Sequence, residues 1–153
     1  TGSMYNTISH NIFSNNTQYN IYLAGETDTN IVSFNILNKS DYGIRIKGSK
    51  DNRVYKNCIE NNQLGIYCCC GAMDNNFYNN TLFNNSLKNA RENAGLYNIW
   101  YDYPTGNGNY WDDYTGKDEN HDGRGDTPYT IADTENQDIH PLMNPPTDAP
   151  CNK

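Results

Sequence analysis

The sequence predicts an all-β chain: a parallel β-helix, or solenoid, of about five coils with an irregular C-terminal cap. The first observation is a repeat, Asn-x-φ-x-x-Asn-x-φ, where φ is apolar. It runs through Asn6/Ile8/Asn11/Phe13, Asn30/Val32/Asn35/Leu37, Asn52/Val54/Asn57/Ile59 and Asn75/Phe77/Asn80/Leu82, with a degenerate fifth start at Asn98-Ile99-Trp100. The second is its fixed period of about 22–24 residues, in the range of solenoids. The third is alternation by two inside each unit, which is the periodicity of strands.

Taken in order, each coil opens on a strand whose inward columns are Ile8/Val32/Val54/Phe77, Asn11/Asn35/Asn57/Asn80 and Phe13/Leu37/Ile59/Leu82, with Ser9, Ser33, Tyr55 and Tyr78 facing out. A second strand follows at 20–23, 43–46 and 65–68; there Ile21, Ile44 and Ile66 point in, and Tyr22, Arg45 and Tyr67 point out. Turn clusters separate the strands at Asn15-Asn16, Asn38 to Asp41, Asn61-Asn62 and Asn84-Asn85, where Asn suits left-handed backbone angles. Asn is ordinarily poor in strands. Stacked in register its amide bonds to the Asn above and below, which satisfies polar groups that cost a few kcal/mol each when buried alone. Ser86 to Gly95 reads as a continuing, less regular coil or as a short capped helix. Residues 5–103 are thus the coils, 104–143 the cap and 144–153 a tail or linker; Thr1-Gly2-Ser3-Met4 reads as tag remnant plus start residue. Without a visible N-terminal cap, the first coil is expected to be open to end-to-end self-association and to have lost upstream coils.

Composition narrows the function. The chain is 153 residues long, 35% hydrophobic and 19% charged, and 27 residues are Asn. A net charge of -7 argues against nucleic acid as a partner. No apolar run approaches the ~20 residues of a membrane span. The five cysteines, Cys58, Cys68, Cys69, Cys70 and Cys151, lack zinc spacing. They fit reduced or partly paired thiols, a bridge from Cys151 to the triplet, or a soft-metal site.

The Asn-x-Ile-x-x-Asn-x-Ile units with following Gly-Ile pairs resemble the NosD-like right-handed β-helix repeats of the carbohydrate-binding and sugar-hydrolase superfamily. The resemblance covers residues 6–143 and implies an archaeal or bacterial surface protein. Gly108-Asn-Tyr-Trp111-Asp-Asp-Tyr114 is similar to a signature that precedes an acidic loop in such proteins. The family name suggests copper handling, but only three Met residues are present and they form no motif.

Asp118, Asn120, Asp122, Arg124 and Asp126 place hard oxygen ligands at alternate positions of one loop, with Gly123 at its sharp turn. This is the pattern of a Ca2+ loop, here with Tyr129 where a bidentate Glu is usual. The outward Tyr22, Tyr55, Tyr67 and Tyr78, and the ring of Trp111, are candidates for stacking on sugars; Trp111 alternatively plugs the last coil. Asp28, Asp51 and Asp74 recur at one corner, either as turn residues or, with Arg45, as a carboxylate set for sugar chemistry. His10, His121 and His140 show no nucleophile–base arrangement. Sequons at Asn15, Asn38, Asn79 and Asn84 permit glycosylation.

Two functions remain. The first is a non-enzymatic extracellular or cell-surface module (a periplasmic site also fits) that binds a polysaccharide or cell-surface glycan and has a Ca2+-stabilised cap. The second is a fragment of a lyase, hydrolase or epimerase acting on polysaccharide.

Overall fold

A computed structural model describes residues 2–152. Each coil contains three strands, not two. The coils are β1 (Thr7–Ser9), β2 (Ile12–Ser14) and β3 (Tyr19–Ala24); β4 (Ile31–Ser33), β5 (Ile36–Asn38) and β6 (Tyr42–Lys47); β7 (Arg53–Tyr55), β8 (Cys58–Glu60) and β9 (Leu64–Cys69); and β10 (Asn76–Tyr78), β11 (Thr81–Phe83) and β12 (Lys88–Asn93). The cap adds β13 (Tyr110–Trp111) and an antiparallel pair, β14 (Tyr129–Thr130) and β15 (Gln137–Asp138). Strands of successive coils pair in parallel, giving three sheets: β1-β4-β7-β10, β2-β5-β8-β11-β13 and β3-β6-β9-β12. The solenoid therefore makes about four turns rather than five, because past β12 the stack continues only through β13 and isolated parallel bridges, Leu96 to Met73, Ile99 to Asn76, Ala132 to Arg91 and Leu142 to Tyr110, among the described residues. Residues 88–93 are strand, which settles the choice between coil and helix in favour of the coil.

The interior is the set of apolar columns that the repeat announces. Val32, Val54 and Phe77 stack in the first sheet, Leu37, Ile59, Leu82 and Trp111 in the second, and Ile21, Ile44 and Ile66 in the third. Each fully buried side chain contributes about 1.5–3 kcal/mol.

Alternation by two would put the first two apolar columns on one strand. The backbone instead turns between them at His10, Phe34, Lys56 and Asn79, each with φ of 53–58°. The same left-handed step occurs at Tyr5, Thr29, Asp51, Asp74 and Tyr97, and at Asn15, Lys39, Asn61 and Asn84. Every one of these residues immediately precedes a ladder residue. Left-handed geometry costs a residue with a side chain about 1–2 kcal/mol. The ladder supplies two hydrogen bonds at most corners, each worth a net ~0.5–1.5 kcal/mol, which is of the same size. The corners are thus held by the ladder residue next in the chain, and Phe, Lys and Tyr serve there as well as Asn.

Three ladders run along the solenoid. In the second, the backbone N–H and Nδ2 of Asn35 donate to Asn57 Oδ1 at 3.0 and 3.0 Å, and those of Asn57 donate to Asn80 Oδ1 at 3.1 and 3.0 Å. The first passes through Asn6, Asn30, Asn52, Asn75 and Asn98 in the same way. The third uses Asn16, Ser40, Asn62 and Asn85. Between rungs the donors point towards the cap, while Nδ2 also reaches a carbonyl of the preceding coil, as in Asn57 to Val32 and Asn80 to Val54; the last rung therefore needs an acceptor from the cap side. Carboxylates fill that place. Glu92 accepts from Asn98 Nδ2 at 2.8 Å and Trp100 Nε1 at 3.2 Å. Asp138 accepts from Asn109 N at 2.6 Å and Trp111 Nε1 at 2.9 Å. In the third ladder the step is indirect: Asn85 Nδ2 donates to Asn89 Oδ1 at 2.9 Å, and Asn89 Nδ2 donates to Asp112 at 2.7 Å and Asp113 at 2.9 Å.

Asp138 is fully buried, and burial pushes its carboxyl up to about 6, against the opposing pull of the Asn109, Trp111 and His140 N–H donors. Its ordinary value is 3.8. Between these values the unfolded chain releases a proton that the fold retains, so the contribution of Asp138 falls as pH rises through about 4–6 and levels above. The wild-type stability curve is expected to lose on the order of 3 kcal/mol over that window relative to Asp138→Asn, which has no charge to bury. Parallel urea midpoints for both proteins across the window would refute this.

The C-terminal residues do not form a free linker. Cys151 is bridged to Cys58 of β8, with Cα atoms 5.5 Å apart, so of the alternatives the partly paired thiols hold and the bridge to the triplet does not. Lys56 pairs with Asp148 at 2.7 Å, Ala149 is buried, and a 3-10 helix closes the chain at Pro150–Asn152. The three triplet cysteines are free thiols, and Cys68 points into the core from the third sheet, in register with Ile46 and Glu92.

Candidate functional site

With the second sheet's outer face partly occupied by the tail at Cys58, the outer faces of the first and third sheets are the open ones. On the third sheet, Tyr22, Arg45, Tyr67 and Arg91 lie directly in register across β3, β6, β9 and β12. Tyr19 and Tyr42 form a parallel column beside them. The Arg45 guanidinium carbon stands 5.5, 5.8, 5.3 and 5.4 Å from the ring centres of Tyr19, Tyr22, Tyr42 and Tyr67, a cation–π cluster. Arg45 Nη1 donates to the Tyr19 hydroxyl at 2.9 Å and Nη2 to Cys69 Sγ at 3.8 Å. Tyr22 is 43% exposed and Tyr67 half-buried. Partial burial, then the Cys69 sulfur, pushes the Tyr67 phenol up, against Arg91 and Arg45. Arg91 is shared between the Tyr67 ring and the Asp133 carboxylate.

Tyr55 and Tyr78 form a separate strip. Their rings stack on each other at 5.0 Å, and Tyr55 meets Phe34 edge-on at 6.2 Å. Trp111 is not available as a platform for a ligand. It is 1% exposed, one face lies on Tyr129 at 4.1 Å, and its N–H is used by Asp138. The reading of Trp111 as the plug of the last coil describes it, because a fully covered ring has no face to offer. Burial, then Asp113, pushes the Tyr129 phenol up.

The carboxylate set is not brought together. Asp51 and Asp74 take matching places on adjacent coils and line a groove of about 730 Å³ along the first sheet, with Arg53 between them in sequence. Asp28 is out of step: it lies two residues before its ladder Asn, where Asp51 and Asp74 lie one before theirs. It is buried, and its Oδ1 accepts from Lys50 N at 2.8 Å. Arg45 is on another face.

The acidic loop is a tight turn built from its own side chains. Asp118 Oδ1 and Oδ2 accept from the N–H of Asp122 and Gly123 at 3.1 and 2.9 Å; Asn120 Oδ1 accepts from Asp122 N at 2.9 Å. Asp122 Oδ1 accepts from Arg124 N at 2.9 Å, whereas Asp126 turns to Glu119 N at 2.7 Å. Gly123 carries the positive φ of 87° that the spacing anticipates. The Arg124 guanidinium folds back on Thr105 and Asn107, tying the loop to the start of the cap.

The soft donors are dispersed. Cys69 and Cys70 place their sulfurs 3.1 Å apart, but His10 lies against Phe34, His140 against Tyr101 and His121 in the acidic loop. Among the described residues no group of three or more His, Cys, Asp or Glu side chains could hold a metal ion.

Sequence reasoning missed Tyr19, Tyr42 and Arg91 as members of the aromatic strip. Their signal was the constant offset of Tyr19 and Tyr42, two residues before Ile21 and Ile44. The geometry as a whole defines a parallel β-solenoid repeat protein with one aromatic, cationic face. More particularly, the chain belongs to the NosD family: the family described as Periplasmic copper-binding protein (NosD) matches residues 1–116. The match ends ahead of the acidic loop. No curated protein and no solved structure matches the chain. The family's periplasmic description agrees with a setting outside the cytoplasm. No helix among the described residues is long and apolar enough to cross a membrane.

Proposed function

We propose that the chain is a non-enzymatic, extracellular or cell-surface β-helix module that binds polysaccharide along the outer face of its third sheet. The observation that carries this reading is the strip Tyr22–Arg45–Tyr67, repeated in register at about 4.8 Å per coil. Tyrosine presents a large ring and a polar tip at little cost in side-chain freedom, which suits stacking on a sugar with hydrogen bonding at its edge. The Cys58–Cys151 bridge accords with an oxidising compartment. In affinity electrophoresis through gels containing polysaccharide, Tyr22→Ala and Tyr67→Ala are each expected to weaken retention about tenfold, a loss of ~1.4 kcal/mol. Retention by both variants equal to wild type would remove the basis of the reading.

The cap is proposed to be stapled by Ca2+ at Asp118, Asn120, Asp122, the Arg124 carbonyl and Asp126. Support comes from the ligand spacing and from Gly123, and the turned loop is compatible with it. Without a bidentate twelfth ligand, the affinity is expected in the range of ~10⁻⁴–10⁻³ M. Calorimetric titration should show heat and a rise in melting temperature, both absent in Asp122→Ala; a silent wild-type titration would dismiss the staple. Copper, named in the family's description, is assigned no site in this reading, since among the described residues no three His, Cys, Asp or Glu side chains come together to hold a metal ion.

The enzymatic reading finds one specific observation in its favour, the groove that holds Asp51 and Asp74. It predicts release of reducing ends or unsaturated products from acidic polysaccharides, abolished in folded Asp51→Ala.

A further inference from the structure

Arg45 is set apart from the other cations by its four ring contacts. Lys56, Arg91 and Arg124 each stand near a carboxylate, of Asp148, Asp133 and Asp122 respectively. Among the described residues no carboxylate pairs with Arg45, on a chain with 18 acidic and 11 basic side chains. Its Nε is buried without a hydrogen-bond partner. The strands of the third sheet carry Arg45, Lys47, Lys88 and Arg91, and their one acidic residue, Glu92, is buried at the end of the first ladder. Arg91 is offset by Asp133, which among the described residues leaves Arg45, Lys47 and Lys88 as unpaired positive charges on the face that carries Tyr19, Tyr22, Tyr42 and Tyr67.

We propose that the third-sheet face takes an anionic polysaccharide, a chain of uronate or sulfated sugars, with Arg45 as its anion anchor and Tyr22 and Tyr67 stacking on sugars to either side. The proposal rests on the carbohydrate-binding reading above and adds the charge of the ligand. Nη1 and Nη2 of Arg45 each carry a second N–H beyond those given to Tyr19 and Cys69, and these can be offered to a carboxylate or sulfate oxygen. The surrounding rings already hold the group, so little freedom is lost on binding. The acidic balance of the whole chain opposes duplex nucleic acid, with one charge per ~1.7 Å, more than a uronate chain with one charge per sugar; single-stranded DNA, of comparable charge density, is therefore an arm of the test.

The test measures binding of oligogalacturonate, its methyl ester and single-stranded DNA of similar length to wild type, Arg45→Gln and Lys47→Gln, with thermal melts to establish folding. Wild type should bind the acid form, more weakly as salt rises, and about tenfold more weakly when Arg45 becomes Gln, the loss of one charge-assisted hydrogen bond. Lys47→Gln should lower the salt dependence even if Arg45→Gln does not fold. Equal binding of acid and ester, unchanged in both variants, would overturn the anionic ligand while leaving carbohydrate binding standing. Binding of neither would overturn both, and DNA binding as tight as the acid oligomer's would overturn the choice of a glycan.

Discussion

Asn57→Ala is expected to lower the free energy of unfolding by roughly 4 kcal/mol, since it strands two buried donors at about 1–3 kcal/mol each. Asn57 Oδ1 accepts both the backbone N–H and the Nδ2 of Asn35, and both residues are fully buried. Its own Nδ2 satisfies the carbonyls of Val32 and Tyr55 as well as Asn80 Oδ1. The effect should depend on position along the ladder. Asn11 is exposed, so Asn11→Ala leaves groups that water can satisfy and should cost less than about 1 kcal/mol. Asn57→Asp should be nearly as damaging as alanine, because a carboxylate cannot donate to Asn80 Oδ1. That asymmetry is why carboxylates appear at the cap end of the ladders. Urea unfolding with an unchanged slope would report the loss; equal midpoints for wild type and Asn57→Ala would show that the ladder does not hold the coils.

Reduction of the Cys58–Cys151 bridge, or Cys151→Ser, is expected to cost about 4 kcal/mol. The two cysteines are 93 residues apart, so the bridge closes a loop from β8 through the last coil and the cap and removes much of the unfolded chain's freedom. The other contact of the tail is small by comparison, since Lys56 and Asp148 are both partly exposed and such a pair adds at most ~1 kcal/mol. Urea midpoints with and without reductant measure the effect. Coincident midpoints in a protein shown to be oxidised would refute it. Cys68→Ala should behave differently, altering packing without any dependence on reductant, because Cys68 is a free thiol inside the core.

The repeat made the coils legible because each inward column must recur at the period of the stack: a slip of one residue would turn an apolar side chain outward. For the same reason the strip Tyr22, Arg45, Tyr67 was visible as a strip. The carboxylates show how the same reasoning fails. Asp28, Asp51 and Asp74 are spaced evenly, but the ladder advances from Asn30 to Asn52 by one residue fewer than from Asn52 to Asn75. Even spacing in sequence therefore placed Asp28 off the corner that the other two share. Trp111 was legible as either lid or platform, and only its contact with Tyr129 decided between them.

The sequence by itself determined the stacked columns, the Asn ladders and the turned acidic loop, since these depend on spacing along the chain and on local backbone geometry. Tertiary structure alone decided the three-sided coil, with Phe34, Lys56 and Tyr97 in left-handed corners for which they have no preference of their own. It also decided that Glu92, Asp112 and Asp138 end the ladders, and that Cys58 is the partner of Cys151. Apart from Glu92, whose donors Asn98 and Trp100 are near it in the chain, these features pair residues distant in sequence, and the energy that selects them, a buried donor satisfied or a strained corner held, exists only once neighbouring coils are in contact.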